Sequence, residues 1–266
     1  MALKVGFWSD KSHYLNRMTF RQLVVAYFQY YAIQAYLLLG VISTFVAINT
    51  STSLTLDMTA VAFSVLAYPL AWYSLHRWVL HSKYLFKSSL TAKVWKRIHY
   101  DHHQDPHHLE VLFGALYTTL PTIALITMPA GYLINGVSGA AAGLAGGLFT
   151  TCFYEFCHCI QHLAYKPKYK FLQEMKRKHM AHHFHDETGN FGITNFMWDK
   201  LLGTNYEATK ERERSETVFN LGYTKDAAEK YPWVANMSGG VSEDPSRPRS
   251  HRERKKLSRN SSQEAA

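Results

Sequence analysis

No lysine or arginine occurs between Gln22 and His76, and none between Ile98 and Tyr165. Inside those windows the uncharged runs are long. Residues 22–56 hold 35 positions without a formal charge, "MTAVAFSVLAYPLAWYSL" (58–75) holds 18, and residues 111–154 hold 44, broken near the middle by "GYLINGVSG". A helix that crosses a bilayer needs about 20 apolar residues. The first run supplies one crossing and a polar turn, "NTSTS"; the second supplies one crossing, and the third a hairpin of two. The chain is therefore expected to be an all-α integral membrane protein with four transmembrane helices. A soluble helical protein would have to hide all four stretches in one small core.

The basic residues give the orientation. Lys4, Lys11, Arg17 and Arg21 precede the first crossing, six from Arg77 to Arg97 follow the second, and nineteen follow the fourth. The two short outer loops have none. By the positive-inside rule both termini and the central loop are cytosolic, in the endoplasmic reticulum or a bacterial inner membrane. A net charge of +9 on its own would suit nucleic acid or an anionic surface. Its placement around the apolar runs argues for a membrane and against nucleic acid. The stretch "MALKVGFWSDKSHYLNR" lacks the apolar run of a cleavable signal peptide.

Three regions follow. Residues 1–21 form a cytosolic or interfacial segment, with Phe7, Trp8 and Tyr14 as headgroup anchors. Residues 22–237 form the membrane domain with a cytosolic, histidine-rich helical cap. Residues 238–266, low in hydrophobicity and dense in charge, read as a disordered basic tail. Cys152, Cys157 and Cys159 are odd in number and lie in the fourth apolar stretch, so they read as packing residues and not as a disulfide framework. Gly139, Gly143 and Gly147 recur every fourth position, which lets another helix approach closely in lipid.

Thirteen of the fifteen histidines fall between 76 and 185, and ten of them form four groups. "HRWVLH" gives His76 and His81. "HYDHH" gives His99, His102 and His103. "HCIQH" gives His158 and His162, and "HMAHH" gives His179, His182 and His183. All four groups fall at or near the cytosolic ends of the expected crossings. Residues at i, i+3 and i+4 share a helix face, so each His-x-x-His-His is expected to aim three rings at one point. His76 and His81, about 140° apart on an α-helix, should either ligate different ions or sit where the helix ends. Ten nitrogens exceed one ion's coordination and fit two ions of roughly five ligands each, with a few rings shared. Imidazole suits iron, zinc, copper and nickel alike. His107, His108 and His185 read as loop or supporting residues, while His13 and His251 stand apart.

The ordered set His-x4-His, His-x2-His-His, His-x3-His, His-x2-His-His resembles the membrane fatty acid hydroxylase and sterol desaturase superfamily, from about His76 to Thr204. The segment "KHMAHHFHDETGNFGITNFMWDKLLGT" is similar to the closing segment of fatty acid 2-hydroxylases, in which His-His is followed by Phe-Gly and then Trp-Asp before Gly-Thr. The resemblance implies an oxygen-dependent enzyme with a dimetal centre, physiologically two iron ions, which zinc would replace in some preparations. The ten grouped histidines would hold those metals. Relatives commonly carry a fused haem domain; this chain has no room for one, so a separate electron-transfer protein is implied as external electron donor.

The reaction expected on that basis is insertion of one oxygen atom from dioxygen into a lipid acyl chain drawn from the bilayer, at carbon 2. Phe153, Tyr154, Phe191 and Trp198 are candidates to line the acyl slot, and Glu155 to orient a ligand histidine or to sit at the interface. Desaturation or hydroxylation of a sterol, sphingolipid or carotenoid is the rival within the superfamily. A metal transporter or storage protein is the rival outside it. That rival predicts ligands along a path near the midplane, whereas these gather at one face.

Overall fold

The computed structural model describes residues 13–242, 244–250 and 253. Among them the chain is helical, and the one β-bridge joins Tyr14 to His108. In chain order the α-helices are α1 (Phe20–Gln29), α2 (Tyr31–Thr50), α3 (Leu54–Leu75), α4 (Ser89–Trp95), α5 (Asp101–Gln104), α6 (Leu109–Leu112), α7 (Leu116–His162), α8 (Lys170–Phe184), α9 (Met197–Leu201), α10 (Lys225–Lys230) and α11 (Trp233–Ser238). Two π-helical turns, His76–Leu80 and Lys96–Tyr100, prolong α3 and α4. The chain divides into two compact units. One holds Thr19–Trp72 and Gly114–Ile160; the other holds His13–Met18, Tyr73–Phe113 and the chain from Gln161 onward.

The first unit carries most of the apolar sequence. The 35-residue uncharged run is not one helix. Thr19 and Gln22 form a reciprocal cap that starts α1, and extended backbone at Tyr30 ends it before α2 begins. Among the described residues three helical stretches are long and apolar enough to cross a membrane: Tyr31–Thr50, Leu54–Leu80 and Leu109–His162. Their outward faces stay apolar, with Leu66 77% and Leu133 86% exposed. Surface of that kind is unfavourable in water and suited to hydrocarbon.

The longest stretch is interrupted where "GYLINGVSG" suggests a turn. Asn135 and Gly136 leave helical geometry, Gly136 with φ +57°. The two halves of α7 then run back along each other. A Cβ built on Gly131 would lie 2.2 Å from the Gly139 carbonyl oxygen, one on Gly143 2.9 Å from that of Thr127, and one on Gly147 2.8 Å from Ile123 and Thr127 side-chain atoms. The contacts step four residues back on one half for four forward on the other, which is an antiparallel pairing. The glycine repeat therefore admits a close helix, and that helix is the first half of α7.

The lone charge inside these runs is fully engaged. Asp57, 6% exposed, accepts hydrogen bonds from Asn135 Nδ2 (2.8 Å), Ser138 Oγ (2.7 Å) and Ser51 Oγ (2.5 Å). A buried carboxylate is tolerated when donors surround it. Here it ties the turn after α2 to the turn inside α7.

In the second unit an aromatic core of Phe86, Trp95, Tyr100, Leu221, Tyr223 and Val234 packs around α4. Trp95 Nε1 donates to the Leu80 carbonyl at 2.7 Å, anchoring the π turn that ends α3. Of the segment from 238 onward, Arg249 is 8% exposed and donates to the carbonyls of Ser238 and Gly240. Residues 243, 251–252 and 254–266 of that segment, and 1–12 with Phe7 and Trp8, lie outside the described residues.

Candidate metal centre

His76 and His81 come together because the helix widens as it ends. The His81 amide donates to the His76 carbonyl five residues back, at 3.0 Å. In an α-helix those side chains would diverge by about 140°; the π turn brings them to one side. Of the two expectations for this pair, the helix end is the one observed, and different clusters are not. His76, His81, His99 and His103 have ligand nitrogens all within 4.8 Å of one another. Their Nε2 atoms face each other, His76 to His81 at 3.2 Å and His81 to His99 at 2.8 Å.

A second cluster is built from His102, His162, His179 and His183, again within 4.8 Å, with His162 Nε2 and His179 Nε2 2.9 Å apart. The expectation that each His-x-x-His-His aims all three rings at one point is therefore corrected. The i and i+4 rings stay together (His99 with His103, His179 with His183), and the i+3 ring of the first box, His102, lies in the other cluster. Adjacent residues on an α-helix lie about 100° apart, and His102 and His103 fall in different clusters. His103, His182 and His183 make a third grouping that joins the two clusters, and the His182 ring stands 4.8 Å from that of His76 and 4.9 Å from that of His81. His158, buried, lies one turn before His162 on α7.

Backbone carbonyls set the tautomers. His76 Nδ1 donates to Phe191 O (2.7 Å), His103 Nδ1 to Val218 O (2.9 Å) and His182 Nδ1 to Gly189 O (2.8 Å). A carbonyl only accepts, so each Nδ1 carries the proton and each Nε2 is left as a donor of electrons. This donor set fits metal. Two nitrogens ~2.1 Å from one ion and at right angles stand ~3 Å apart, the spacing seen here. Burial, and then the facing histidines, push His81, His99 and His183 well below the ordinary imidazole range, so the rings are neutral and ready to ligate.

Sequence reasoning missed the segments that supply these carbonyls. Residues 186–192 carry Gly189 and Phe191. Asn190, at φ +54°, is held by two hydrogen bonds with the Tyr206 backbone. Residues 217–220 carry Val218, and Gln104 reaches the Phe219 carbonyl beside it. No side-chain pattern marks a carbonyl; the readable signals were Asn190-Phe-Gly and Trp-Asp.

The remaining expectations separate cleanly. Phe191 is buried edge-on to His76, His81 and His182. Tyr154 packs on Tyr68 and Trp72, and Phe153 is 62% exposed. Glu155 accepts from the Gly114 amide (3.2 Å). His107 stacks on Phe184 and reaches the His162 carbonyl (3.2 Å), His108 packs against Tyr14, and His185 bonds the Arg212 carbonyl; none joins a ligand cluster. His251 lies outside the described residues.

The depressed histidines predict acid lability of the metal-free protein. Unfolded imidazoles take up protons below about pH 6.5, while His81, His99 and His183 in the fold resist them. The unfolded state then binds more protons, and stability falls as pH drops below that value. Each such histidine contributes about 1.4 kcal/mol per pH unit until its own folded value is reached. The melting temperature in detergent after chelation should fall steeply between pH 7 and pH 5; a flat profile would show that the rings already carry protons in the fold.

An all-helical chain with long apolar spans and clustered, tautomer-locked histidines defines a membrane protein of the histidine-box type. Residues 61–204 match the fatty acid hydroxylase family. The dihydroceramide fatty acyl 2-hydroxylase FAH2 of Arabidopsis thaliana is 31% identical over 169 residues, covering 62% of this chain and 69% of that protein. The ceramide very long chain fatty acid hydroxylase SCS7 of Saccharomyces cerevisiae is 29% identical, covering 53% of this chain and 36% of that one. The fatty acid 2-hydroxylase of Rattus norvegicus is 28% identical, covering 53% and 37%. A solved structure of full-length scs7p with only its hydroxylase domain visible aligns at TM-score 0.55 and 26% identity, over 69% of this chain and 68% of that one. The chain belongs to the fatty acid hydroxylase family, and with it to the oxidoreductases.

Proposed function

We propose that this protein is a dimetal, oxygen-dependent hydroxylase acting on carbon 2 of a fatty acid or of a sphingolipid acyl group. The observation that carries the reading is the pair of buried imidazole clusters joined through His103, His182 and His183. Relatives whose names specify 2-hydroxylation of fatty acyl groups support the position.

His76, His81, His99 and His103 would hold one ion. His102, His158, His162, His179 and His183 would hold the other, with His182 between them. Two bound irons would supply the dioxygen activation that an unactivated C–H bond requires, one oxygen atom entering the substrate as hydroxyl and the other leaving as water, with two electrons drawn from a separate electron-transfer protein and two protons from solvent. The carbonyls of Phe191, Val218 and Gly189 keep three Nε2 atoms turned inward. Phe191 closes one side of its cluster against water.

The same reading assigns four crossings: α2, α3 and the two halves of α7, with residues 1–21 and the basic C-terminal segment on the cytosolic side. Residues 22–237 are then the membrane domain, with its histidine-rich cap cytosolic. A substrate acyl chain would enter from the bilayer, its polar end staying near that cap.

Membranes from cells expressing the protein under heavy-isotope dioxygen provide the test, with mass spectrometry of hydrolysed lipids. A fatty acid bearing one labelled hydroxyl at carbon 2 is expected. Unlabelled new double bonds would replace the proposal with desaturation, and a label at another carbon would move the position.

A further inference from the structure

Of Phe-Gly, Trp-Asp and Gly-Thr, singled out in the closing segment, only Phe191 has a task in the metal reading. Asp199, on α9, is 0% exposed. Its Oδ1 accepts from the Phe191 amide (2.8 Å) and the Thr204 hydroxyl (2.7 Å), and its Oδ2 accepts from the Gly192 amide (2.9 Å). The carbonyl of that same Phe191 receives His76 Nδ1. The Phe191 carbonyl and the Gly192 amide belong to one planar trans peptide, so the carboxylate that holds the Gly192 N–H fixes the direction of that carbonyl as well.

The neighbours fit this role. A Cβ on Gly192 would fall 2.1 Å from the Asn195 carbonyl and 3.0 Å from Asp199 Oδ2, so glycine is what lets the carboxylate reach the amide. Thr204, having given its proton to Asp199, accepts from the Tyr73 hydroxyl (3.0 Å), which accepts from Arg77 (2.7 Å). A directed chain of donors thus runs from Arg77, beside His76, to the carboxylate. Burial raises the Asp199 carboxyl above its ordinary range, while the Thr204 hydroxyl and the two amides oppose that shift, and two hydroxyls link it to a cation.

We infer that Asp199 is a positioning residue of the metal centre: through the Phe191 peptide it fixes the tautomer and direction of His76, and with them the grip of that histidine's cluster on its ion. The inference rests on the metal reading proposed above.

Cobalt(II) titration of the purified protein in detergent, followed by its ligand-field absorbance, tests both separately. The parent is expected to bind two ions; no uptake would sink the metal reading and this inference with it. Asp199→Asn keeps the shape but turns an amide donor toward one of three donors. It should weaken one of the two ions by about ten- to a hundredfold, the range for lost outer partners of a ligand, with unchanged far-ultraviolet circular dichroism. In a His76→Ala background the same substitution should cause no further loss at that ion. Parent-like binding by Asp199→Asn, or an equal loss in both backgrounds, would refute the inference. Should Asp199→Asn fail to fold, Thr204→Val keeps the carboxylate and both amides while removing one donor. A smaller loss at the same ion is then expected, and unchanged binding overturns the role.

Discussion

Replacing His103 with alanine is expected to abolish hydroxylation while the protein still accumulates in the membrane. His103 belongs both to the cluster of His76, His81 and His99 and to the grouping with His182 and His183 that joins the clusters. The substitution deletes a ligand for one ion and a neighbour of the other. It also leaves the Val218 carbonyl without its ring donor, which costs about 1–3 kcal/mol for a buried acceptor, a tolerable loss for a folded domain. Product should fall by more than the ~100-fold that an outer partner of a ligand costs. His182→Ala is expected to behave alike. The measurement is labelled hydroxy acid per unit of membrane-inserted protein; product near the parental level would remove His103 from the centre.

The second large effect is expected on folding. Gly139→Leu places side-chain atoms where the Gly131 carbonyl already stands, 2.2 Å from the position of a Cβ. Overpacking among side chains costs about 1–3 kcal/mol because rotamers can shift. Here the obstacle is backbone, so the two halves of α7 must separate and the cost exceeds that range. Monodisperse protein recovered in detergent should be nearly lost for Gly139→Leu and reduced for Gly139→Ala. Val137→Leu, at a position 59% exposed, should recover like the parent. Equal recovery of Gly139→Leu would mean that the hairpin does not pack as described.

The apolar spans were legible because hydrocarbon accepts so few backbone solutions; a long uncharged run has little choice but a helix. The turn at Asn135-Gly136 was legible because glycine there takes a positive φ. The break at Tyr30 was not, since nothing in "FQYYAIQ" forbids a helix from running through; its separation depends on a cap at Thr19 and on packing. The histidines announced themselves, but their assignment to clusters did not. Spacing rules for an ideal helix placed three rings of each box together. Adjacent side chains such as His102 and His103 diverge, and a π turn places His81 where an α-helix would not. The orienting groups were the least legible part. Three are backbone carbonyls, and the carboxylate behind one of them, Asp199, acts through a backbone amide earlier in the chain.

The π turn between His76 and His81 also sets a length. It holds one residue more than an α-helix needs over the same rise, and that surplus is what carries His81 to its partners. Were this turn to relax to the α form with all four intervening residues kept, the ring that follows would swing by about 100°. Trp95, whose indole N–H donates to the Leu80 carbonyl, holds the widened turn at its end. The four residues between those histidines act as a spacer whose count belongs to the site, whatever their side chains are.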